Sequence, residues 1–184
     1  MAKKPEYTFA HFQTKKLALY AQQLVEIYND AWATFDNFVP LTEQKVRASF
    51  EKMKRIADEK LIWFAYANGE PAAFIVIIPD INPMIKPLNG KLNLWGMLRF
   101  LYHKHTSGTN RIRAVVMGTK KKYQKHGLES ALFIKLKSYI VPLKKYTELE
   151  LSWVGDFNEP MLAIHRATGA TFAKKHITFR KTFS

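Results

Sequence analysis

The 184-residue sequence contains no cysteine. It therefore cannot form a disulfide framework, a thiolate zinc site or a cysteine nucleophile. No apolar run approaches the roughly 20 residues that span a bilayer, and residues 1–6 contain no apolar signal core. We therefore expect a soluble, cytoplasmic protein.

Acidic residues are scarce: 15 Asp and Glu stand against 29 Lys and Arg, which gives a formal charge of +14. Such an excess favours an acidic partner, which would be a phosphorylated cofactor, nucleic acid or an anionic lipid surface. A solvated surface that favours lysine explains the charge equally well. There is no nucleic-acid-binding motif, so nucleic acid is the least favoured partner. The densest basic cluster is Lys120, Lys121, Lys122 and Lys125.

The sequence has no repeat, low-complexity tract or Gly/Ser linker, which predicts a single domain over residues 1–184 with an inserted arm at about 79–106. Strand patterns cover Tyr7 to Phe12, Leu61 to Ala67, Ala72 to Ile78, Arg111 to Gly118, Tyr146 to Trp153 and, as one or two strands, Thr171 to Phe183. Helical patterns cover Lys16 to Thr34, a segment opening at Thr42, Leu92 to Tyr102, Gly127 to Val141 and Glu159 to Thr168. The dipeptide Asn68-Gly69 predicts a tight hairpin turn. The order predicts a mixed α/β sheet with helices on both faces.

A basic loop joins the strand that ends at Gly118 and Thr119 to the helix that begins near Gly127. The first turn of a helix leaves backbone N–H groups without partners and carries a partial positive charge, so a pyrophosphate fits there. Gly127 removes a side chain at the closest approach, and the lysines and His126 add charge. On this loop alone, a solvated strand-to-helix turn explains the pattern too.

The segment Gln124-Lys125-His126-Gly127-Leu128-Glu129 resembles the pyrophosphate-binding motif of the GNAT superfamily of N-acetyltransferases. That motif reads Gln/Arg-x-x-Gly-x-Gly/Ala, and only its last position, Glu129, departs from it. Further segments are similar to a bacterial GNAT-like subgroup of unassigned substrate: residues 28–32, 37–42, 73–74, 78–82, 88–91, 150–153 and 158–161. The resemblance covers essentially the whole chain.

This resemblance implies a GNAT acyl-CoA N-acyltransferase-like fold with a central, mostly antiparallel sheet. It implies acetyl-CoA, or another acyl-CoA, held between two strands that splay apart. Backbone groups of Met117, Gly118 and Thr119 would face pantetheine. The implied phosphate-binding residues are Gln124, Lys125, His126, Gly127, Leu128 and Glu129. Asn158 would lie beside the cofactor, although a plain N-cap or turn role suits it equally.

The implied reaction is transfer of an acyl group, most simply acetyl, to an amine of a small molecule or peptide. A base assists because an amine of pKa about 10.4 is mostly charged at neutral pH. Glu150 is the candidate base and Asn158 a second candidate catalytic residue; Glu150 also fits a surface role balancing lysines. No tyrosine follows Tyr146 to act as the late-chain acid. A catalytically inactive GNAT-fold module that binds CoA or a partner is therefore the alternative.

Trp32, Phe35 and Phe38 lie on the segment expected to roof the acceptor cleft, where they would line a substrate pocket or belong to the core. The arm carries an apolar helix next to basic residues. This helix would pack on the domain, lie on an anionic membrane or cover a long acyl chain. The histidine spacing predicts no metal site. The sequence does not predict the oligomeric state.

Overall fold

A computed structural model of the chain describes residues 5–35, 38–54, 57–90, 93–106 and 109–182, without the side chains of 104–106. Its sheet has five strands in the order β1-β2-β3-β4-β5. These are β1 (Tyr7–His11), β2 (Ile62–Ala67), β3 (Glu70–Pro79), β4 (Arg111–Thr119) and β5 (Glu148–Leu151). The first four strands pair antiparallel, whereas β5 runs parallel to β4. The predicted mixed, mostly antiparallel sheet is confirmed.

The β2–β3 hairpin turns at Asn68 and Gly69, as predicted. Both residues have positive φ angles, 50° and 82°, which match the right-handed twist of the flanking strands. The turn fixes the register, so that Ala67 pairs with Glu70. It thereby places Glu70, the first residue of β3, at the same end of the sheet as the last residue of β4.

Helices pack on both faces of the sheet. The helices of the described residues are α1 (Leu17–Trp32), α2 (Glu43–Met53), α3 (Asn82–Ile85), α4 (Leu94–Thr106), α5 (Leu128–Leu143) and α6 (Glu159–Ala167). On one face α1 and α2 bury residues such as Leu24 and Phe50 against Phe64 and Phe74 of the sheet. The Thr42 hydroxyl caps α2 by accepting from the Lys45 amide.

The opposite face is covered by α5. Leu128, Leu132 and Leu136 recur at four-residue steps and are buried against apolar residues of β2 and β3. Burying one leucine side chain stabilises a fold by about 1.5–3 kcal/mol. This row therefore fixes α5, and with it the N-terminal end of the helix beside β4.

The prediction of one or two strands over Thr171 to Phe183 was wrong. Residues 170–182 form no strand, and Phe183 lies outside the described residues. The pattern of this segment is strand-like, but a strand also needs a partner edge, and β5 remains the last strand of the sheet. The predicted fifth strand was too long: Tyr146, Thr147, Ser152 and Trp153 lie outside β5.

The arm between β3 and β4 is more helical than expected. Before the helix predicted over Leu92 to Tyr102, the arm contains α3 and a 3-10 turn at Lys86–Leu88, and α4 begins at Leu94 and extends to Thr106. Leu92, the predicted start of that helix, lies outside the described residues. That the arm is an insertion in a single domain stays a prediction.

Candidate functional site

Strands β4 and β5 pair over four residues and then separate. Their register runs from Arg111 opposite Glu148 to Ala114 opposite Leu151. There the Ser152 hydroxyl donates a hydrogen bond to the Ala114 carbonyl. Beyond this pair β4 continues through residues 115–119, of which 116–119 pair with β3 and with no other described strand. One edge of β4 is therefore open to an extended ligand.

A β-bulge lies where the strands separate. Val116 pairs with Val76 and Ala114 with Ile77, so Val115 is the extra residue of β4. A bulge bends its strand and ends regular pairing. The bulge thus helps to part β4 from β5. No local pattern of residues predicted this bulge.

The open edge leads to the N-terminus of α5. Its N-cap residue is Gly127, with φ 76° and no side-chain cap hydrogen bond. An added Cβ at Gly127 would meet no atom within 4 Å. The first-turn amides thus lack a capping side chain next to open space, which fits the phosphate groups of a cofactor.

The loop before α5 is tied to the sheet. The Gln124 side-chain amide donates to the Thr119 carbonyl at 3.3 Å, and the Tyr7 hydroxyl lies 2.5 Å from Nδ1 of His126. Lys125 is exposed and has a positive φ of 66°. The structure thus brings the predicted phosphate-binding residues together around one helix end. Glu129, half-buried in the first turn of α5, lies among them.

Lys120 differs from its neighbours. It is only 5% exposed, and its ammonium contacts Glu26 of α1 and Glu70 of β3. Lys122 also contacts Glu70, at 2.7 Å. The expectation that all four lysines add charge for a phosphate is therefore corrected, because these two pair with carboxylates. Lys121 and Lys125 remain exposed.

The carboxylate of Glu70 is held in its charged form. Hydrogen bonds from Lys122, then Lys120, and more weakly from the Tyr123 hydroxyl, lower its pKa from 4.5 to about 2. Burial acts to lower the pKa of Lys120, but the hydrogen bonds to Glu26 and Glu70 outweigh it and raise this pKa. The network joins α1, β3 and the end of β4. Neither glutamate was among the predicted site residues, because their partners lie 94 and 50 residues away.

The three residues at the end of β4 are well packed. Met117 and Thr119 are buried, and an added Cβ at Gly118 would come within 3.2 Å of the Phe74 ring and 3.6 Å of the Trp32 indole nitrogen. The Thr119 hydroxyl is buried without a hydrogen-bond partner among the described residues. A side chain at Gly118 would therefore press on the Phe74 ring, whereas its Cβ would be in ordinary van der Waals contact with Trp32.

An aromatic cluster lies beside this end of β4. Trp32 stacks on Tyr28 at 5.7 Å and packs on Phe35 at 5.1 Å, while Phe38 lies 6.0 Å from Tyr28. Phe35 also contacts Phe157, at 6.2 Å. The three predicted substrate residues are half-buried, which leaves both the pocket and the core interpretations open. Phe157 was missed because the turn after β5 carries no periodic pattern.

The two candidate catalytic residues each make contacts that can be described. The Asn158 side chain accepts from the Met161 amide at 3.3 Å as the N-cap of α6, one of the two roles foreseen for it. Glu150 lies 3.8 Å from Nε of Arg113 and 3.7 Å from Nζ of Lys174. Their roles in catalysis stay predictions.

Glu150 lines a cleft of about 930 Å³ between the arm and the start of β4. The cleft is mainly basic: Lys86, Arg111, Arg113, Lys174 and His176 line it, against the carboxylates of Asp80 and Glu150. The Arg111 guanidinium forms ion pairs with the carboxylates of Glu148, at 2.9 Å, and Asp80, at 3.8 Å. This cleft was not predicted, because it joins four segments that are distant in sequence.

Neither a metal site nor a membrane-spanning helix is found in the part of the chain that the structure describes. No group of three or more His, Asp or Glu side chains there is placed to hold a metal ion. No helix there is long and apolar enough to cross a bilayer.

The splayed β4 and β5, with an uncapped helix following β4, define the GNAT-type acetyltransferase fold. The chain aligns with the aminoglycoside N-acetyltransferase AAC(6')-Iy in complex with CoA at a TM-score of 0.60, with 12% identity over 98% of each chain. It aligns with a ribosomal-protein alanine N-acetyltransferase from Escherichia coli at a TM-score of 0.56, with 18% identity over 92% of this chain and 80% of that one. The chain therefore has the GNAT N-acetyltransferase fold.

Two curated proteins are similar in sequence. The "Bacterial ceramide synthase" of Caulobacter vibrioides is 32% identical over 163 residues, and "Protein YghO" of Escherichia coli is 29% identical over 163 residues. Each match covers 87% of this chain, but the chain spans only 42% of the length of either relative. No protein-family model matches the chain.

Proposed function

We propose that this chain is an acyl-CoA-dependent N-acyltransferase. The observation that carries the proposal is the open edge of β4, which runs directly to the uncapped N-terminus of α5. An extended chain with a pyrophosphate at one end matches this arrangement, because strand amides pair with the chain and helix amides with the phosphates. A bound acyl-CoA would supply the thioester carbonyl as acyl donor; acetyl-CoA is the simplest form.

Each part of the site has a separate task under this proposal. The backbone of Met117, Gly118 and Thr119 would position pantetheine, while the first turn of α5, with Lys125, would hold the phosphates. Glu129 adds a carboxylate in the same turn, and the exposed Lys121 and Lys125 offset its charge. The Ser152–Ala114 hydrogen bond would close the last paired position of the two strands, next to the place where the acyl group would lie.

The acceptor would be an amine that reaches the site through the basic cleft. An ammonium group that lies closer to Arg113 and Lys174 than to Glu150 would have a lowered pKa, because like charges disfavour its charged form. That shift increases the fraction of neutral amine, which is the nucleophile. Glu150 lies in the same cleft and would accept the proton.

For the acceptor itself we propose a long-chain amine. A ceramide is the amide of a long-chain amino alcohol, so the name of the Caulobacter relative supports this class. The arm residues Ile85 and Leu88, which line the cleft, supply apolar contacts for such a chain. The same comparison supports a longer acyl group than acetyl, and both donors therefore belong in the assay.

A catalytically inactive CoA-binding or interaction module is the second candidate. Glu129 and the absence of a tyrosine after Tyr146 favour it, since the usual small residue and late acid are both replaced. CoA leaves as the thiolate of a thiol whose pKa is about 8.5, which needs little assistance, so the missing tyrosine does not exclude turnover.

The experiment is a thiol-release assay with acetyl-CoA and palmitoyl-CoA over a panel containing sphinganine, a polyamine and a peptide with a free N-terminus. We expect release of CoA that depends on the amine, fastest with sphinganine. Calorimetric titration with CoA runs in parallel. CoA binding without release on any amine would support the CoA-binding module. Absence of both would overturn the acyltransferase and the CoA-binding module together and would leave the interaction module.

A further inference from the structure

The positive charge of this chain is concentrated in two stretches. Residues 81–128 contain ten Lys and Arg and no Asp or Glu, and residues 160–184 contain five and none. The rest of the chain holds all 15 acidic residues and 14 basic ones, so it is nearly neutral. The first stretch begins with the arm. The arm therefore faces its surroundings without any carboxylate after Asp80.

Helix α4 of the arm is turned with its apolar side outward. The residues that it directs towards the protein are Gly96, Phe100 and His103, spaced four and three apart, of which Gly96 is buried and the others half-buried. The opposite side of the helix carries large apolar side chains, all of them exposed: Leu94, Trp95, Met97, Leu98, Leu101 and Tyr102. A helix that only packs on a core turns its apolar side to the protein and its polar side to solvent.

The exposure of this side is high. Leu94 is 76% and Trp95 75% exposed, and Leu98 and Leu101 are each 51% exposed. A contiguous apolar surface of this kind marks an interaction site in a folded protein. Trp95 stands beside the aliphatic residues as interfacial tryptophan does in membrane-bound helices. Arg99 and Lys86, both exposed, lie on the same arm.

We propose that α4 docks on the surface of a lipid bilayer that contains anionic lipids. The apolar side of α4 lies among the acyl chains next to the headgroups, and Arg99 and Lys86 contact the headgroup phosphates. Charge complementarity selects this occupant, because an acid-free, basic arm is attracted to an anionic surface. Nucleic acid would use the charge but not the apolar side. The proposal rests on α4 and the charge of the arm, and it does not depend on the proposed acyl transfer.

The test is sedimentation of the protein with vesicles, without CoA or amine present. Vesicles of phosphatidylcholine with phosphatidylglycerol are compared with vesicles of phosphatidylcholine alone. We expect binding to the mixed vesicles that weakens as salt is raised. The double variant Trp95→Ser/Leu98→Ser should lower the partition coefficient about tenfold or more, because two buried apolar side chains are lost. Arg99→Glu should weaken binding to the mixed vesicles only.

Matched controls lie on the outer side of α5, away from the arm. Ile134→Ser removes an apolar side chain that is 67% exposed, and Lys137→Glu reverses an exposed charge. Both should bind vesicles as the unmodified protein does. Tryptophan fluorescence adds a second readout, since Trp95 should shift to the blue on binding in the control variants.

Absence of sedimentation with mixed vesicles would overturn the proposal, and so would equal loss in the α4 and α5 variants. Binding that Trp95→Ser/Leu98→Ser leaves unchanged would also overturn it, because the charge alone would then hold the protein. If the protein does not sediment with the mixed vesicles, the apolar side of α4 would instead be covered by another protein segment.

Discussion

At the scale of single residues, Lys120 is the most informative. It comes at the start of a basic run, yet it is buried and reaches Glu26 and Glu70, whereas Lys125 in the same loop is exposed. A buried ammonium persists when carboxylates compensate for the lost hydration. Lys120 thus fastens α1 to the end of β4, and Lys125 is left for a ligand.

Replacing each lysine by methionine separates these two roles. We expect Lys120→Met to lower the free energy of unfolding by about 1–2 kcal/mol, because Glu26 and Glu70 lose a shared donor. Lys125→Met should leave stability unchanged and weaken CoA binding about two- to fivefold, as loss of an exposed ionic contact does. Urea unfolding and calorimetric titration measure the two effects. If Lys120→Met weakened CoA binding and left the free energy of unfolding unchanged, Lys120 would belong to the ligand site and not to the structural network.

Glu70 gives the network a defined pH dependence. Its pKa in the folded protein, about 2, lies below the ordinary value of 4.5. Its contribution to stability is therefore complete above about pH 4.5 and is lost as pH falls towards 2. We expect Glu70→Gln to be less stable than the unmodified protein by about 1 kcal/mol at neutral pH, a value reduced for solvent screening.

Urea unfolding at about pH 7 and about pH 3 measures the difference between the two proteins, which should shrink at the lower pH. Glu43→Gln, which removes an exposed helical ion pair with Arg47, serves as the control and should change stability little at either pH. A difference that stays constant with pH would show that Glu70 acts through shape and not through its charge.

At the scale of elements, the site depends on how one strand ends and one helix begins. The Asn68-Gly69 turn, the apolar rows of α1 and α5 and the glycine before α5 were all predictable, because each follows from a local pattern. The Val115 bulge, the basic cleft and the burial of Lys120 were not, because they arise from contacts between distant segments. The strand predicted beyond Thr171 failed for the same reason, since its pairing edge is not encoded locally.

The N-terminus of α5 is tested by Gly127→Glu. A carboxylate and added bulk beside the first-turn amides should weaken CoA binding about tenfold or more, because the phosphates are repelled. Gly69→Glu is the matched control: its φ of 82° imposes similar strain, and its Cβ also meets no atom within 4 Å. Gly127→Asn tolerates the positive φ and keeps the site neutral, so it should bind almost normally. Equal affinity of all three variants would place the ligand elsewhere.

At the scale of the whole molecule, the two ends of β4 serve different surfaces. The nine residues from Arg111 to Thr119 span about 26 Å, with the arm and the basic cleft at one end and the N-terminus of α5 near the other. A donor entering at the α5 end and an acceptor entering from the arm would meet near Val115, where β5 leaves β4. The cytoplasmic location stays a prediction, and the activity of the longer relatives does not by itself transfer to a chain that spans 42% of them.

The most direct test of this account is the amide spectrum of ¹⁵N-labelled protein during titration with CoA. We expect the amides of residues 115–119 on β4 and 127–130 at the start of α5 to shift together and saturably, while those of β1 and α2 stay in place. The proposed CoA site is contradicted if CoA at millimolar concentration leaves both segments unshifted, or if the shifts cluster on another face of the sheet.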